Sequence, residues 1–326
     1  MNIESLFLTG GTGFFGKALL KTWTQRFVAG QGVPHVTVLT RNPDAFLASQ
    51  PQYRGQPWLE FVAGDICNAT SLPADRRYSH VLHAATDSTM GPRIKPLDRF
   101  DQIVAGTRNI LDYARVSGAQ RFLFTSSGGV YGPQPQHMSA LTEDYNGIPD
   151  PLDAKSAYSI GKRAAEHICA LYAETYNLEI VIARCFAFIG EDLPLDAHFA
   201  IGNFIHDALW EDEITVRGDG TPLRSYMAQE DLARWLEILL QRGANHRAYN
   251  VGSNEPISLL NLATLVRDVV APCKPVHVLA ECDPNNSVRN CYIPDISRAR
   301  HELGLSVSVS LADAIKRTAE VAKHAR

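Results

Sequence analysis

The amino-acid sequence predicts an α/β protein with a doubly wound parallel sheet and a smaller C-terminal α+β lobe. Two observations lead to this fold class. Short aliphatic and β-branched runs alternate with longer helical stretches over the first 184 residues, as expected of strand–helix–strand units. Four glycines lie within residues 10–16, between the first apolar run and the first helical stretch. At that position a parallel sheet brings its backbone close to a ligand.

The strands of the sheet are predicted as short apolar segments, and the helices as the stretches between them. Because these strands are almost continuously apolar, we expect helices on both faces of the sheet. The predicted strands span residues 6–9, 36–40, 59–63, 80–83, 121–125 and 179–184, and the predicted helices lie near 15–29, 43–50, 98–117 and 156–177.

The pattern of elements changes after residue 185. Helices are predicted near 201–210, 229–242, 258–270 and 311–323, with short strands near 214–216 and 275–279. We therefore divide the chain into an N-terminal domain, residues 1–184, and a C-terminal lobe, residues 185–326. No linker rich in Pro, Gly or Ser separates them, so we expect a soft boundary, some chain crossing between the lobes and a shared cleft.

Composition and charge narrow the classes of function. The chain has a net charge of -4 without a basic cluster, which disfavours a nucleic-acid partner. We expect no membrane association, because no apolar run reaches the length of a membrane span. The first predicted strand begins close to Met1, leaving no room for a signal peptide. With neither CxxC nor HExxH spacing in the sequence, we expect reduced thiols, no metal site and a cytoplasmic location.

The glycine-rich stretch TGGTGFFG occupies residues 9–16. Gly11, Gly13 and Gly16 fit the spacing G-x-G-x-x-G, and Gly10, Gly13 and Gly16 fit a wider spacing with two residues between glycines. Glycines here let backbone N–H groups and a helix N-terminus approach a pyrophosphate. A glycine-rich turn can also be purely structural. Its place after the first strand predicts a Rossmann-type dinucleotide-binding domain.

The residues after the second strand bear on which dinucleotide binds. An acidic residue there would bind the adenosine ribose diol, but the chain reads Thr40-Arg41-Asn42, with no carboxylate before Asp44. Arg41 suits a 2′-phosphate and favours NADP(H) over NAD(H). An Arg41 that stacks on adenine or is solvated would instead be compatible with NAD(H). Asp65, after the third strand, is placed to meet the adenine amino group or lies in a surface turn.

Three residues carry the predicted chemistry. Tyr158 and Lys162 share one face of the helix predicted at 156–177, because they are four residues apart. An ammonium beside a phenol favours the phenolate, so Tyr158 could exchange a proton with a substrate hydroxyl or carbonyl. Ser127 ends the fifth strand, where ligands of open sheets bind, and could hydrogen-bond the reacting oxygen. Ser126 would support it or contact substrate, although the two serines could also simply form a turn.

Together these stretches resemble an extended short-chain dehydrogenase/reductase of the nucleotide-sugar, NAD-dependent epimerase/dehydratase family. The matching stretches follow the family order over nearly the whole chain. They are TGGTGFFG (9–16), GDI (64–66), HAA (83–85), GTRNIL (106–111), SSGGVYG (126–132), YSIGKRAAE (158–166), GNFIHDAL (202–209), GDGTPLRSY (218–226) and YNVGSNEPISL (249–259).

The resemblance implies a cofactor site and a mechanism. Nicotinamide would exchange a hydride with a sugar carbon while Tyr158 handles the hydroxyl proton, Lys162 binds the nicotinamide ribose and Ser127 orients the sugar oxygen. The implied cofactor contacts are Gly10, Gly13, Phe14, Phe15, Gly16, Arg41, Asp65, Ile66, Ala84, Ala85, Tyr158 and Lys162.

The resemblance also implies a substrate site and a partner. Asn203, Arg224 and Arg289 match family positions that touch nucleotide or phosphate, and an arginine fork suits a diphosphate. For either arginine, a surface ion pair is the alternative. The implied substrate is a nucleoside-diphosphate sugar, and the implied partner is a second copy of the chain. That homodimer would form through the helices at 98–117 and 156–177 as a four-helix bundle.

Several departures from the family pattern narrow the reaction. Dehydratases and decarboxylases of the group place an acidic residue just before Val-Tyr-Gly, where this chain has Gly128 and Gly129. Glycine can act neither as acid nor as base, so 4,6-dehydration and decarboxylation are disfavoured. A 4-epimerase or a 4-keto reductase remains, and Arg41 favours the reductase. The chain has Ile103 and Ala187 at two positions where the family has asparagine. Separately, we assign Glu143 and Asp144 to a solvated turn.

Three alternatives to this function stay open. A 4,6-dehydratase would retain the same cofactor and fold. A non-catalytic NAD(P)-binding sensor or scaffold would be expected to lack one of Ser127, Tyr158 and Lys162, all of which are present. A reductase or isomerase of an apolar ketone is disfavoured by Arg224 and Arg289, because two cations in an apolar pocket would be costly to desolvate.

Overall fold

The computed structural model describes residues 3–86, 94–280 and 290–324. Its strands, in chain order, are β1 (Ser5–Thr9), β2 (His35–Thr40), β3 (Leu59–Ala63), β4 (His80–His83), β5 (Arg121–Ser127), β6 (Glu179–Cys185), β7 (Phe188–Ile189), β8 (Ile214–Val216), β9 (Leu223–Arg224), β10 (Met227–Ala228), β11 (Arg247–Val251), β12 (Ile257–Ser258), β13 (Val276–Val278) and β14 (Cys291–Tyr292). Its α-helices are α1 (Phe14–Val28), α2 (Pro43–Ser49), α3 (Pro96–Val116), α4 (Ala157–Tyr176), α5 (Ala200–Trp210), α6 (Gln229–Arg242), α7 (Leu259–Val270), α8 (Ser297–Leu303) and α9 (Leu311–His324).

A seven-stranded sheet forms the centre of the fold, in the order β11-β6-β5-β4-β1-β2-β3. The pairs β1–β2, β2–β3, β1–β4 and β4–β5 are all parallel. The order 3-2-1-4-5-6 within this sheet is that of a dinucleotide-binding doubly wound fold, with the carboxyl ends of β1 and β4 side by side. The predicted fold class is confirmed.

Both faces of the sheet are covered, which explains why its strands are apolar at consecutive positions. Phe7 and Phe124 belong to a core cluster that includes Ile110 of α3 and Ala165 of α4. Leu6 and Leu8, which alternate with Phe7 along β1, are also fully buried. Because successive side chains of a strand point to opposite faces, neither face of β1 is exposed to water.

The chain divides into two compact units. The first unit comprises Met1–Val130, Pro149–Arg184 and Ala233–Tyr249, and the second comprises Tyr131–Ile148, Cys185–Leu232 and Asn250–Arg326. One transition between the units falls between Arg184 and Cys185. Residues 131–148 come before this position but belong to the second unit. Residues 233–249 come after it but belong to the first unit.

A distant part of the chain completes the first unit. The Trp23 indole of α1 donates to a Glu237 carboxylate oxygen of α6 at 3.3 Å, and Arg26 pairs with the same oxygen at 2.6 Å. Trp23 and Arg26 thus bind a residue more than 200 positions later in the chain. These contacts attach α6 to α1. The second unit has its own core from α5, α7 and α9.

The structure extends the predicted elements at two places that matter for the site. Strand β5 continues to Ser127, two residues beyond the prediction, because the polar side chains Thr125, Ser126 and Ser127 are all buried within the sheet. The seventh strand, β11, was not predicted. It lies in the short stretch RAYNV, residues 247–251.

Candidate active site

Two glycines of the turn between β1 and α1 are required by the packing of the backbone. Gly10 has φ +75°, and a Cβ there would lie 2.6 Å from the carbonyl carbon of Ala84. A Cβ on Gly16 would lie 2.2 Å from Cα of Gly11. A side chain at either position would therefore strain the fold, whatever else the turn binds.

Gly13 has no such requirement. Its φ of -90° suits any residue, and a Cβ there would reach only the Gly10 carbonyl oxygen, at 3.4 Å. Gly13 is the N-cap of α1, is exposed, and provides no capping side chain for the first-turn N–H groups. A bare helix N-terminus of this kind fits a pyrophosphate, and the space beside Gly13 is open. The turn therefore fits the phosphates of a dinucleotide.

The loop after β3 is held in place by α3. The Asp65 carboxylate accepts from the Cys67 N–H at 2.8 Å, and the Asn109 amide of α3 donates to the Ile66 carbonyl at 2.9 Å. Burial and the Asp65 charge raise the pKa of the Cys67 thiol, while the charge of Arg41 opposes that rise. Arg41, Asp65 and Ile66 thus lie around one region, past the carboxyl ends of β2 and β3.

A buried histidine connects the glycine turn to α3. The His83 Nδ1 lies 2.7 Å from the Thr9 hydroxyl, and its Nε2 lies 3.2 Å from the Thr107 hydroxyl. The Thr9 hydroxyl also accepts from the Ala85 N–H, and the Thr9 carbonyl accepts from the Ala84 N–H. Burial lowers the pKa of His83 to about 3, with Lys162 contributing to the decrease. His83 is therefore neutral at physiological pH and joins β1, β4 and α3.

Lys162 lies buried where β4 and β5 end. Its ammonium donates to the Thr125 carbonyl at 2.7 Å and to the Thr86 hydroxyl at 2.8 Å. It also lies 4.6 Å from the centre of the Phe124 ring. These contacts hold the charge at the carboxyl edge of the sheet. Thr86, the residue directly after the HAA stretch, was not predicted to take part.

The end of β5 meets the start of α4 at Gly129. The Ser127 hydroxyl accepts from the Gly129 N–H at 3.1 Å. A Cβ on Gly129 would lie 2.6 Å from the Ser159 hydroxyl and 3.3 Å from the Ser127 hydroxyl. Ser159 directly follows Tyr158, so Gly129 permits the approach of the two segments. The Ser126 hydroxyl is buried and makes no hydrogen bond within the described residues.

Tyr158 is half-buried on the first turn of α4, one turn before Lys162. Its ring packs against the apolar core beneath the sheet. The guanidinium carbon of Arg99, from α3, lies 4.3 Å from the centre of the ring. The structure thus brings Ser127, Tyr158 and Lys162 to one region of the first unit, and it adds Arg99, which sequence reasoning missed.

The predicted substrate residues of the second unit make contacts of their own. The Asn203 amide, oriented with its nitrogen toward the preceding loop, donates to the carbonyls of Ala197 at 2.8 Å and Leu195 at 3.2 Å. Arg224 of β9 donates to the carbonyls of Leu223 and Asn290, both at 2.8 Å. Both residues therefore hold neighbouring backbone in place. Arg289 lies outside the described residues.

The prediction that Glu143 lies in a solvated turn is wrong. Its side chain is only 3% exposed and lies 3.8 Å from Arg298. One carboxylate oxygen accepts from the backbone N–H of Asn250, a fully buried residue, at 2.8 Å. Burial raises the pKa of Glu143. Asp144 is exposed as predicted but pairs with Arg298 at 2.6 Å. The partner Asn250 is 107 positions away, so local sequence carried no signal of this contact.

The described residues, 3–86, 94–280 and 290–324, also bear on metal binding and on membrane spanning. No three His, Cys, Asp or Glu side chains among them converge as a metal ion would need. None of the helices they form combines the length and apolarity needed to cross a membrane.

Known proteins resemble this chain in sequence and in fold. The chain is 30% identical to UDP-glucuronic acid decarboxylase 2 of Arabidopsis thaliana over 93% of its length, and it spans 65% of that protein. Two solved structures under 25% identical share the fold. A dTDP-glucose 4,6-dehydratase of Streptomyces venezuelae with NAD and TYD bound is 24% identical with a TM-score of 0.82, and the match covers 98% of this chain and 97% of that chain. A UDP-glucose 4-epimerase of Thermotoga maritima with UDP-glucose is 21% identical with a TM-score of 0.81, and the match covers 98% of this chain and 99% of that chain.

A family model also matches the chain. The matched residues include the glycine turn, Ser127, Tyr158 and Lys162. The model describes the NAD dependent epimerase/dehydratase family and matches residues 6–252, which is most of the chain. This chain therefore belongs to the NAD-dependent epimerase/dehydratase family.

Proposed function

We propose that this protein is an enzyme that transfers a hydride at C4 of a nucleoside-diphosphate sugar, with NAD(P) as cofactor and Ser127, Tyr158 and Lys162 as its catalytic residues. The observation that carries the proposal is the position of these three side chains. They lie at the carboxyl ends of β4 and β5, in the same unit as the turn whose Gly13 leaves room for a phosphate.

The cofactor would be held by residues along this edge of the sheet. When bound, the nicotinamide supplies or accepts the hydride. Gly10, Gly13, Phe14, Phe15 and Gly16 would hold the pyrophosphate, and Asp65 with Ile66 would face the adenine. Ala84 and Ala85 would line the path between them, and Tyr158 with Lys162 would lie at the nicotinamide ribose. The exposed Arg41 supports NADP(H) over NAD(H), because a guanidinium pairs well with a 2′-phosphate.

Each catalytic side chain has a distinct task. Tyr158 exchanges a proton with the C4 oxygen, as a phenol whose ionised form is stabilised by a nearby cation. Lys162 supplies that cation, and its hydrogen bonds to Thr125 and Thr86 fix where the charge lies. Ser127 accepts from the Gly129 N–H, which leaves the hydroxyl hydrogen to be donated to the sugar oxygen.

The substrate class rests on what the named relatives share. Their names give UDP-glucuronic acid, UDP-glucose or dTDP-glucose as the molecule acted on, and each of these is a nucleoside-diphosphate sugar. For this chain we assign Ser126, Asn203, Arg224 and Arg289 as substrate contacts. The Ser126 hydroxyl is buried without a hydrogen bond among the described residues. This supports its role as a substrate contact, since a ligand oxygen would accept that hydrogen bond.

The reaction type is argued from Gly128 and Gly129. Elimination of water requires an acid or base beyond Tyr158, and the space beside Gly129 is taken by Ser159. We therefore propose 4-epimerisation or reduction of a 4-keto sugar. The similarity to a protein named a decarboxylase favours decarboxylation as the second candidate.

Product mass, combined with separation of the stereoisomers, distinguishes these reactions. Purified protein is incubated with NAD or NADPH and a set of UDP- and dTDP-sugars, including UDP-glucuronic acid and a 4-keto sugar. An unchanged mass with a new stereoisomer indicates epimerisation, and a gain of two hydrogens indicates reduction. Loss of CO2 or of water would overturn the proposed reaction type.

The Tyr158→Phe variant tests the catalytic assignment itself. Cofactor binding should be retained while turnover falls by at least about a hundredfold, the usual contribution of a general acid–base group. Unchanged turnover would contradict the role of Tyr158. Retained cofactor binding in a wild-type protein that converts no sugar would support the sensor alternative.

We also propose a cytoplasmic homodimer that forms through α3 and α4. Leu97 and Val116 of α3 and Leu171 of α4 are exposed apolar side chains, and burial between two copies would remove them from water. Sedimentation equilibrium of the wild type and of Leu171→Glu tests this, since the charge should shift the protein toward monomer.

A further inference from the structure

A cation–π contact joins Arg99 of α3 to Tyr158 of α4. Arg99 lies in the first turn of α3, where its N–H donates to the Lys95 carbonyl at 3.0 Å. Its guanidinium carbon lies 4.3 Å from the centre of the Tyr158 ring, and both side chains are half-buried. A cation within about 6 Å of a ring face is attracted by the negative face of the π-system.

The two helices hold this contact in a fixed place. Helix α3 approaches α4 closely at Gly161, where a Cβ would lie 3.3 Å from Ile103 and 3.5 Å from Phe100. Gly161 is three residues after Tyr158, and Phe100 directly follows Arg99. Because side chains of α3 pack directly against α4 here, the contact between Arg99 and Tyr158 lies where the two helices meet.

A fixed cation over this ring has a chemical consequence. Over a neutral phenol, the attraction is that of a charge for a quadrupole. Once the phenol loses its proton, the ring carries a negative charge and the same contact becomes an ion pair. The guanidinium therefore stabilises the phenolate more than the phenol.

We propose that Arg99 is a positioning residue for Tyr158. It orients the ring and, together with Lys162, shifts the proton equilibrium of the phenol toward the phenolate. This inference rests on the proposed function for the part that concerns turnover. It does not depend on which sugar is the substrate.

Other charged or titratable groups of the described residues lie on the elements around Tyr158. Lys162 lies one turn later on α4, and His83 of β4 lies beside Lys162 and is neutral near physiological pH. Asp98 and Asp101, the acidic residues that flank Arg99 on α3, are exposed. Arg163 of α4 donates to the Val130 carbonyl. The end of β5 contributes the hydroxyl groups of Thr125, Ser126 and Ser127.

The chain contains a matched control for this contact. On the same two helices, the guanidinium carbon of Arg115 lies 5.2 Å from the centre of the Tyr176 ring, at the opposite end from the candidate site. Arg115→Met removes a similar cation–ring contact from α3 and α4 without touching Tyr158. Arg99→Met removes the charge while keeping side-chain length, and Arg99→Lys keeps the charge.

The test measures the ionisation of Tyr158 directly and through activity. Phenolate absorbance is followed against pH for each protein, and subtraction of the matching Tyr158→Phe variant isolates this one residue. The pH dependence of kcat/KM is measured alongside. We expect Arg99→Met to raise the pH midpoint by about one unit, the effect of losing one nearby opposite charge. Arg99→Lys should recover at least half of that shift, and Arg115→Met should cause none.

Two outcomes would overturn the inference. One is an unchanged Tyr158 midpoint in folded Arg99→Met, with folding checked by circular dichroism. The other is an equal shift in Arg115→Met. Failure of the proposed function looks different, because the Tyr158 midpoint would still shift in Arg99→Met while no nucleoside-diphosphate sugar is converted.

Discussion

Gly10 and Gly13 lie three positions apart in one turn and lack a side chain for different physical reasons. Gly10 has a positive φ and faces the backbone of Ala84 at 2.6 Å, so its role is in the fold. Gly13 has an ordinary backbone conformation and an open surrounding, so the fold does not require a glycine there, and we propose that its role is toward a ligand. Motif spacing treats the two alike, and only the environment of each Cβ separates them.

We predict that alanine at these positions affects different properties. Gly10→Ala should lower the free energy of unfolding by about 1–3 kcal/mol, because of its conformation and the clash with Ala84. Gly13→Ala should leave thermal unfolding nearly unchanged and weaken NAD(P)H binding by about tenfold or more. Calorimetry and fluorescence titration measure the two effects. Equal loss of stability in both variants would show that Gly13 is also structural.

Arg41 is predicted to decide the choice between the two cofactors. Arg41→Ala should weaken NADPH binding by about tenfold, because a charge-assisted contact to the 2′-phosphate is lost. NADH binding should change little. Arg54→Ala serves as a control, since this nearby exposed arginine contacts the Leu47 carbonyl. If the wild type binds NADPH no better than NADH, the proposed preference is wrong.

At the scale of elements, buried polar contacts join segments that are far apart in the chain. The Tyr131 hydroxyl donates to the Asn250 side-chain oxygen at 2.7 Å, while Glu143 accepts from the Asn250 N–H. The Asn250 amide in turn donates to the carbonyls of Leu141 and Asp295. The backbone N–H and the side-chain amide of Asn250 therefore all have hydrogen-bond acceptors, as buried polar groups require.

The acceptor at Glu143 is predicted to matter more than its charge. Glu143→Gln retains an oxygen for the Asn250 N–H and should cost less than about 1 kcal/mol of folding free energy. Glu143→Leu leaves that buried N–H without its acceptor and should cost about 1–3 kcal/mol. Denaturant unfolding of both variants checks the order. Equal losses would mean that the contact with Arg298 dominates instead.

At the scale of the whole molecule, buried titratable groups set the dependence of stability on pH. Burial lowers the pKa of His80 to about 4 and that of His83 to about 3, with further decreases from Arg121 and Lys162 respectively. An unfolded histidine has a pKa near 6.5. Between these values the unfolded chain binds more protons than the folded one, so acidification favours unfolding. Burial raises the pKa of Glu143, so this group makes the folded state more stable on acidification. We expect the two histidines together to outweigh this one carboxyl group.

We therefore predict that stability falls below about pH 6.5, by about 1.4 kcal/mol per pH unit for each of the two histidines. His83→Gln or His80→Gln should each reduce the slope. Melting temperatures between about pH 7 and pH 5 measure it, with the exposed His35→Gln as control. A slope in both variants that matches the wild type would contradict this account.

The sequence by itself determined the fold class, the six apolar strands of the sheet and the stretches around Gly13, Ser127, Tyr158 and Lys162. It could do so because strand alternation, glycine punctuation and four-residue helical spacing are local properties of the chain. The tertiary structure alone decided the places of β11, Glu143, His83 and Arg99. Each of these depends on partners that lie far away in sequence, and burial against such partners is a property of the folded chain that local pattern does not contain.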